Sequence, residues 1–456
     1  MTCTVSKKFS GCLAKWIIRS GALLYALSLA CIIALQYRMP DNMFSCWGMH
    51  PESVRFFESM LLGWHPPQLS SNVFSTYLIF CLLAIWAGYG LLLYSMLRGF
   101  TPKIHVLVGI VALCALAVAF LWPVSLSFDP YAYVATGRLK IFHGLNPYMY
   151  PGNYVAKLHD EVARFECGAI PTPYGPVWTA LSMAVVWLLK GSGVWWQVVA
   201  MKLIAAAALI AAALSGRWIA EKVRPGMGAV SLLAIGLNPL LLIEGPGNGH
   251  NDLFMIAVFM VAIIFLLKKR FVAGALFLGI SIGVKFVTVV ALPWLIWEYC
   301  RGTGIKKGVS RAAAMCLAVI VPSLICYLLF WDVSSLGSKV WSQAAWCFSG
   351  CRTVAMHDRG TSVNLSYIVA KHAPLILMYA VLSIWCFLGK RRMRWLTSWV
   401  IISVALVFTI TRCPFPWYIS WALVPALVEW GGNRRMLSWM CMGIGAILMI
   451  FYAVPG

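Results

Sequence analysis

The sequence predicts an all-α, polytopic transmembrane protein of about 13 crossings, and three observations predict it. The 456 residues are 61% hydrophobic and only 11% charged. Apolar runs of roughly 15–25 residues recur along the chain, enough to cross a hydrocarbon core about 30 Å thick. The basic residues fall in short clusters between those runs. At this chain length, a mean hydropathy of +0.83 fits a membrane solvent better than a soluble core. Lipid-exposed backbone must satisfy its own hydrogen bonds, so the runs are expected to be helices.

In order, the expected spans are 16–36, 73–97, 104–124, 176–190, 195–218, 227–244, 252–267, 271–284, 286–300, 311–331, 361–387, 395–411, 417–430 and 436–454. The basic clusters are Lys7/Lys8/Lys15/Arg19, Arg98/Lys103, Arg217/Lys222/Arg224, Lys268/Lys269/Arg270, Arg301/Lys306/Lys307/Arg311, Lys390/Arg391/Arg392/Arg394 and Arg434/Arg435. Placed on one face, they gather most of the 36 basic residues there with few acids, as the positive-inside rule expects. The formal net charge of +22 is therefore read as topology with anionic-lipid attraction, not as nucleic-acid binding. Parity fails at one place. If 125–175 lies outside and 217–224 inside, the short 176–190 segment is expected not to cross fully.

Segments 271–284 and 286–300 flank Lys285 and are expected to be two short helices meeting at the outer face, bringing Lys285 there. The large outer segments are then 37–72, 125–175 and 332–360. The chain forms a single transmembrane domain over 1–456. It divides into N-terminal helices 1–124, the outer loop 125–175, core helices 176–300, and C-terminal helices 301–456 with the outer loop 332–360. Most of the 15 cysteines lie in apolar spans, where Cys acts as a small hydrophobe. Cys46, Cys167, Cys347 and Cys351 are expected outside, and a Cys347–Cys351 bridge would suit an oxidising compartment.

The stretch SFDPYAYVATGRLKIFHGLNPY at 127–148 departs from this apolar pattern. Asp129 follows the third span and precedes Pro130, which suits a helix start, so it could serve as an N-cap or as an interfacial acid. Tyr131, Tyr133, Arg138 and Lys140 follow at spacing for an amphipathic helix on the membrane surface. Asn146-Pro147-Tyr148 turns the chain, and Tyr174-Gly175-Pro176 returns it. A second polar cluster, Asn248-Gly249-His250-Asn251-Asp252, reads either as a turn with a helix cap or as a hydroxyl-binding set to which Glu244 contributes. His250 and Asp252 alone are a poor metal site, so no metal is expected. Trp417 and Tyr418 read as an interfacial belt or as a stacking surface for sugar or lipid. Lys202 falls inside a span with no partner legible in the sequence.

In order along the chain, D-P-Y-x-Y-x-x-x-G-R, G-x-N-P-Y, Y-G-P-V-W, NPLLLIEGPGNGHND at 238–252, GISIGVKFVTVVALPW at 279–294 and TRCPFPWYISW at 411–421 resemble the GT-C superfamily of integral-membrane glycosyltransferases. More narrowly they resemble the bacterial polyprenyl-phosphate-mannose-dependent α-mannosyltransferases, over roughly 100–430. The family often carries YPP where this chain has Tyr174-Gly175-Pro176, and two apolar spans precede the third where many relatives have one. The resemblance implies that Asp129 is the catalytic base and that 125–175 is the catalytic loop. It also implies a polyprenyl-phosphate sugar donor, a glycan or glycolipid acceptor, and mannose as the sugar.

Chemically, a lipid-linked sugar phosphate carries its own leaving group, so no organic cofactor is expected and one carboxylate suffices as base. Fixed cations should face the departing phosphate. Lys285, Arg412 and Arg138 are the candidates, with snorkelling to the interface the alternative for the first two. Tyr131, Tyr133, Asn146, Tyr148, Tyr174, Glu244, Asn248, His250, Asp252, Trp417 and Tyr418 are candidates for binding sugar or acceptor. A bacterial inner membrane with the site on its periplasmic face is the expected location. A transporter or flippase for a lipid-linked sugar is the rival class, although no inverted repeat is visible.

Overall fold

The computed structural model describes residues 12–40, 66–100, 102–125, 127–165, 168, 170–330, 365–389, 394–410, 414–428 and 434–453. Arg412, Cys46, Cys167, Cys347, Cys351 and the loop 332–360 lie outside the described residues. The helices are α1 (Cys12–Gln36), α2 (Ser71–Leu97), α3 (Ile104–Leu121), α4 (Asp129–Ile141), α5 (Pro176–Leu188), α6 (Val194–Val223), α7 (Gly228–Gly236), α8 (Pro239–Leu242), α9 (Asn251–Leu267), α10 (Phe271–Val284), α11 (Leu292–Cys300), α12 (Ile305–Leu328), α13 (Leu365–Leu388), α14 (Arg394–Ile410), α15 (Ser420–Ala426) and α16 (Arg434–Ala453). No strand forms among the described residues; Pro151 and Pro171 make an isolated bridge.

Among the described residues, five helices are long and apolar enough to cross a membrane, six if a bent pair counts as one span, and seven shorter apolar helices of 10–17 residues accompany them. The all-α membrane architecture read from the sequence stands. The single span expected over 227–244 does not, because it breaks at Asn238-Pro239 and bends by 52°. Pro239 has no N–H to continue the ladder. Asn238 Oδ1 caps the new helix instead, accepting from the backbone N–H of Leu240 (3.1 Å) and Leu241 (3.3 Å). Carbonyls left over by the break are taken by tyrosines of the N-terminal pair: Tyr89 donates to Ala234 O and Tyr25 to Leu237 O, each at 2.8 Å. The break thereby locks α1 and α2 onto α7.

Past α8 the chain widens into a π-helical turn, Ile243–Gly247, and then turns sharply through Gly249 before α9 begins. Gly249 has φ +71°, and a Cβ there would lie 2.6 Å from Pro130 Cγ. The turn can therefore press against the start of α4 only with glycine at this position.

Helix α4 lies buried along most of its length, with Tyr131 and all of Val134–Leu139 out of solvent. The surface-lying amphipathic helix expected from the sequence is thus corrected. Its cationic side is not solvated, because Arg138 is turned inward onto Asp160 and Gln197. Helix α5 packs along α4 so closely that a Cβ on Gly137 would lie 2.6 Å from the Ser182 carbonyl.

Helix α5 is short, in keeping with the expectation that 176–190 does not cross fully. It has only 13 residues, about 20 Å. Its N-terminus is tied to the end of α10 by Gly175 N–H to Val284 O (3.1 Å). At its other end Leu189 O accepts from Gln197 Nε2 (3.2 Å), near the start of α6. From there α6 descends past Lys202, which donates to the Trp122 carbonyl at the end of α3. Helix α5 thus links the end of α10, next to Lys285, to the start of α6. The glycine of Tyr174-Gly175-Pro176 supplies an N–H that a proline in that position would lack.

Gly249→Ala is expected to cost about 1–3 kcal/mol, since it forces a left-handed backbone on a side chain that also overlaps Pro130. Gly109→Ala, in α3 with nothing within 4 Å of the added Cβ, should cost nothing. Thermal midpoints of the two variants in detergent give the comparison.

Candidate active site

Asp129 is the first residue of α4, with Pro130 behind it and its own N–H given to Ser127 Oγ (3.1 Å). Its carboxylate does not cap the helix. Instead Tyr133, one turn on, donates its hydroxyl to Asp129 Oδ2 (3.0 Å), and His250 Nδ1 sits 3.1 Å from the same oxygen. The Tyr133 hydroxyl in turn accepts the Asn251 N–H (3.3 Å), stitching α4 to the start of α9. The Asp129 side chain keeps 19% of its surface exposed while His250 keeps 1%. The carboxylate is therefore the reachable member of a buried set.

Behind His250 stands Glu244, on the π turn, with Oε2 at 3.3 Å from His250 Nε2; this is ion-pair distance without the alignment of a hydrogen bond. Glu244 Oε2 also accepts from Asn248 Nδ2 (3.1 Å), whose Oδ1 accepts from Trp122 Nε1 (3.1 Å). Trp417 covers the imidazole face to face, ring centroids 3.8 Å apart. Burial works against the Asp129 charge. The hydrogen bond and charge of His250, the Lys285 charge and the Tyr133 hydroxyl outweigh it and hold the carboxyl below the usual carboxylate range. For His250, burial is likewise outweighed by its two carboxylate neighbours, which push it up to about 9.

A second ion pair stands close by. Lys285 occupies the extended link between α10 and the 3-10 turn Phe286–Ala291. Its ammonium lies 2.8 Å from Asp252 Oδ1, with side-chain exposures of 19% and 1%. Trp421 Nε1 donates to the same oxygen at 2.6 Å. The ammonium also lies over the rings of Tyr418 (4.6 Å) and Trp421 (5.5 Å), a cation–π arrangement. Lys285 does not snorkel to an interface but is locked in place. Three polar atoms beside this pair have no hydrogen-bond partner among the described residues: Asn251 Nδ2, Asn251 Oδ1 and Asp252 Oδ2. Buried polar groups are normally paired, so these three depart from the rule.

The structure thus brings together Asp129, Tyr133, Glu244, Asn248, His250, Asp252, Lys285, Trp417 and Tyr418 from the residues singled out in the sequence. Tyr174 joins them, edge-on to the Tyr133 ring at 5.0 Å. Tyr148 supports it by donating to the Tyr174 carbonyl (3.1 Å), and Asn146 binds the Phe330 carbonyl (3.1 Å). Tyr131 stacks on Phe165 (4.7 Å) instead of facing the carboxylate. Arg138 pairs with Asp160 at 2.7 Å, and its nine-residue separation from Asp129 places it about 13 Å along the helix. Sequence reasoning missed Trp421 and Trp122, while Asn251 was legible as part of the 248–252 cluster. Trp421 lies four residues beyond Trp417, the one signal that could have found it; Trp122 carried no signal beyond belonging to a span end.

Residues 45–301 match the family model of the alpha-(1->6)-mannopyranosyltransferase N-terminal domain. The match spans more than half of the chain, and the chain belongs to this family. The resemblance to the GT-C membrane mannosyltransferases stands with it. The chain is 24% identical to alpha-(1->6)-mannopyranosyltransferase A of Mycobacterium tuberculosis over 441 residues, covering 90% of this chain and 82% of that protein. It is 23% identical to alpha-(1->6)-mannopyranosyltransferase A of Corynebacterium glutamicum over 354 residues, covering 69% of this chain and 68% of that one. No solved structure matches.

Lys285→Met leaves Asp252 buried with only the Trp421 indole for a partner. It is expected to destabilise the protein by about 3–5 kcal/mol, the usual cost of stranding one half of a buried pair. Removing both charges, in Lys285→Met with Asp252→Leu, should recover most of that loss. Melting curves of the single and double variants in matched detergent provide the measurement.

Proposed function

We propose that the chain transfers a single mannosyl residue from a polyprenyl-phosphate mannose to a hydroxyl of a glycan or glycolipid at the outer face of the inner membrane, with inversion at the anomeric carbon. Mannosyl transfer follows the family. The donor, the stereochemistry and the face rest on the chemistry of the site together with the charge pattern along the chain.

One observation carries the reading: both hydrogen bonds received by Asp129 among the described residues fall on Oδ2, which leaves Oδ1 for an incoming hydroxyl. In the proposed step the acceptor O–H gives its proton to Oδ1 as its oxygen attacks the anomeric carbon. The bond from that carbon to the phosphate oxygen breaks, and the polyprenyl phosphate leaves with the electron pair. A single displacement of this kind inverts the centre and needs one base. Such help is worth about 10²–10⁴-fold, or about 3–5 kcal/mol of barrier.

Lys285 is the described cation suited to the developing phosphate charge, because its position is fixed before the reaction begins. Arg412, the other cation proposed from the sequence for this role, lies outside the described residues. The orphaned amide of Asn251 and the free oxygen of Asp252 suit the sugar hydroxyls. The aromatic surface of Tyr174 and Tyr418 suits the apolar face of the ring.

Asp129→Asn is expected to lower transfer by at least about 100-fold with the fold intact. Purified protein, lipid-linked donor and acceptor suffice for the assay, and undiminished transfer would remove the assignment. The pH profile supplies a separate check. A base whose pKa is lowered stays ionised down to low pH, so kcat/KM should hold level from neutral pH to about pH 4 and fall only below the ordinary aspartate range.

A further inference from the structure

The sequence suggests a hydroxyl-binding role for His250, but its surroundings do not leave the ring available for one. Both ring nitrogens face carboxylates, Asp129 Oδ2 at 3.1 Å and Glu244 Oε2 at 3.3 Å. One face is covered by Trp417 at 3.8 Å, and 1% of the side chain is exposed. A sugar hydroxyl has no free edge of this imidazole to bind.

We propose that His250 is a positioning residue. It is a fixed cation that holds one oxygen of the base Asp129 and, by occupying it, aims the other at the acceptor, while Glu244 from behind keeps the ring in place. This rests on the reading of Asp129 as base. The geometry is that of an acid–imidazole–acid line running from α4 to the π turn. The imidazole needs a proton on both nitrogens to serve both carboxylates, and only the imidazolium has two N–H donors. The turn itself ties the two residues, since the His250 backbone N–H is given to the Glu244 carbonyl (3.1 Å). Ring and carboxylate are therefore anchored on one short loop.

Among the described residues, groups from several elements face this line. Tyr133 and Asp129 come from α4, Tyr174 from the returning loop, Glu244 from the π turn, and Asp252 from α9. Lys285 comes from the α10 link and Tyr418 from beside α15, and Lys202 of α6 packs against Gly249. Lys285 is a second cation acting on Asp129, and it stays in place when His250 is changed. A neutral residue at 250 should therefore raise the Asp129 pKa without releasing it altogether. The sign follows from the opposing effects. Burial pushes the carboxyl up, the His250 hydrogen bond and charge push it down, and removing the charge leaves burial less opposed.

The test compares full-length wild type, His250→Gln and Glu244→Gln in lipid nanodiscs, with polyprenyl-phosphate mannose as donor and a mannosyl glycolipid as acceptor. Glutamine can still donate to Asp129 but carries no charge. For His250→Gln the acid limb of kcat/KM is expected to move to higher pH, with kcat down about 10–100-fold and the donor KM within about twofold. In wild type, kcat/KM should fall again as pH rises through about 9, where His250 gives up its proton. Glu244→Gln should move that alkaline limb to lower pH, because Glu244 is one of the groups holding the proton on the ring.

The Glu244 variant keeps the question answerable if His250→Gln does not fold. A raised donor KM with both limbs unmoved overturns the proposal and returns His250 to sugar binding. Unmoved limbs beside an inactive Asp129→Asn sink this inference alone. A fully active Asp129→Asn sinks the base reading and this inference with it.

Discussion

The site depends on one constraint: charge placed at the end of an apolar bundle has to be paired before it can do anything else. A charged side chain at membrane depth costs about 2.5–3.5 kcal/mol even on lenient insertion scales. Asp129, Glu244 and Asp252 are all carboxyl-bearing, and each is at most one-fifth exposed. His250 is shared between the first two, and Lys285 is held by the third. Removing either cation would strand an acid, so the two pairs are as much a condition of folding here as a possible catalytic apparatus.

The pairing requires side chains from distant parts of the sequence to meet at one level, and helix interruptions arrange this. An unbroken helix spends its backbone polar groups on itself and can only project side chains sideways. Here each charged group sits beside a break. Asp129 is at the first turn of α4, Glu244 on the π turn, His250 and Asp252 at the start of α9, Lys285 on the extended link after α10. Trp417 and Tyr418 lie on the 3-10 turn Pro416–Ile419. Each break frees backbone groups, and neighbours satisfy them, as Tyr25 and Tyr89 do for α7. At the polar end of the bundle, irregular backbone is bonded to side chains of other helices.

This division explains what could be read from the sequence. Span positions were legible because hydropathy is local; the expected 271–284 and the observed Phe271–Val284 coincide. Asp129 and the 248–252 cluster were legible because a polar residue in an apolar chain stands out. The bend at Asn238-Pro239 was overlooked because the run around it stays apolar on both sides. From the sequence Arg138 reads as facing a phosphate, because its partner Asp160, 22 residues on, belongs to a loop whose fold no periodicity announces. Trp421 and Trp122 were invisible for the opposite reason. An indole in a membrane span looks like ordinary apolar content until its N–H is found on Asp252 or Asn248.

A tension in the site sharpens the reading of the chemistry. The environment that keeps Asp129 ionised also makes it a weak base, since the same His250 and Lys285 charges that oppose protonation oppose the arrival of the acceptor's proton. A weak base cannot drive a reaction by pulling first. On the proposed reaction the proton must move late, after the bond to the phosphate has loosened and the attacking oxygen has gained positive character. The barrier is then governed by departure of the phosphate, for which Lys285 is fixed in advance by Asp252, Tyr418 and Trp421. On the proposed reaction, a carboxylate held this firmly suits a donor whose leaving group departs readily, as that of a lipid-linked sugar phosphate would.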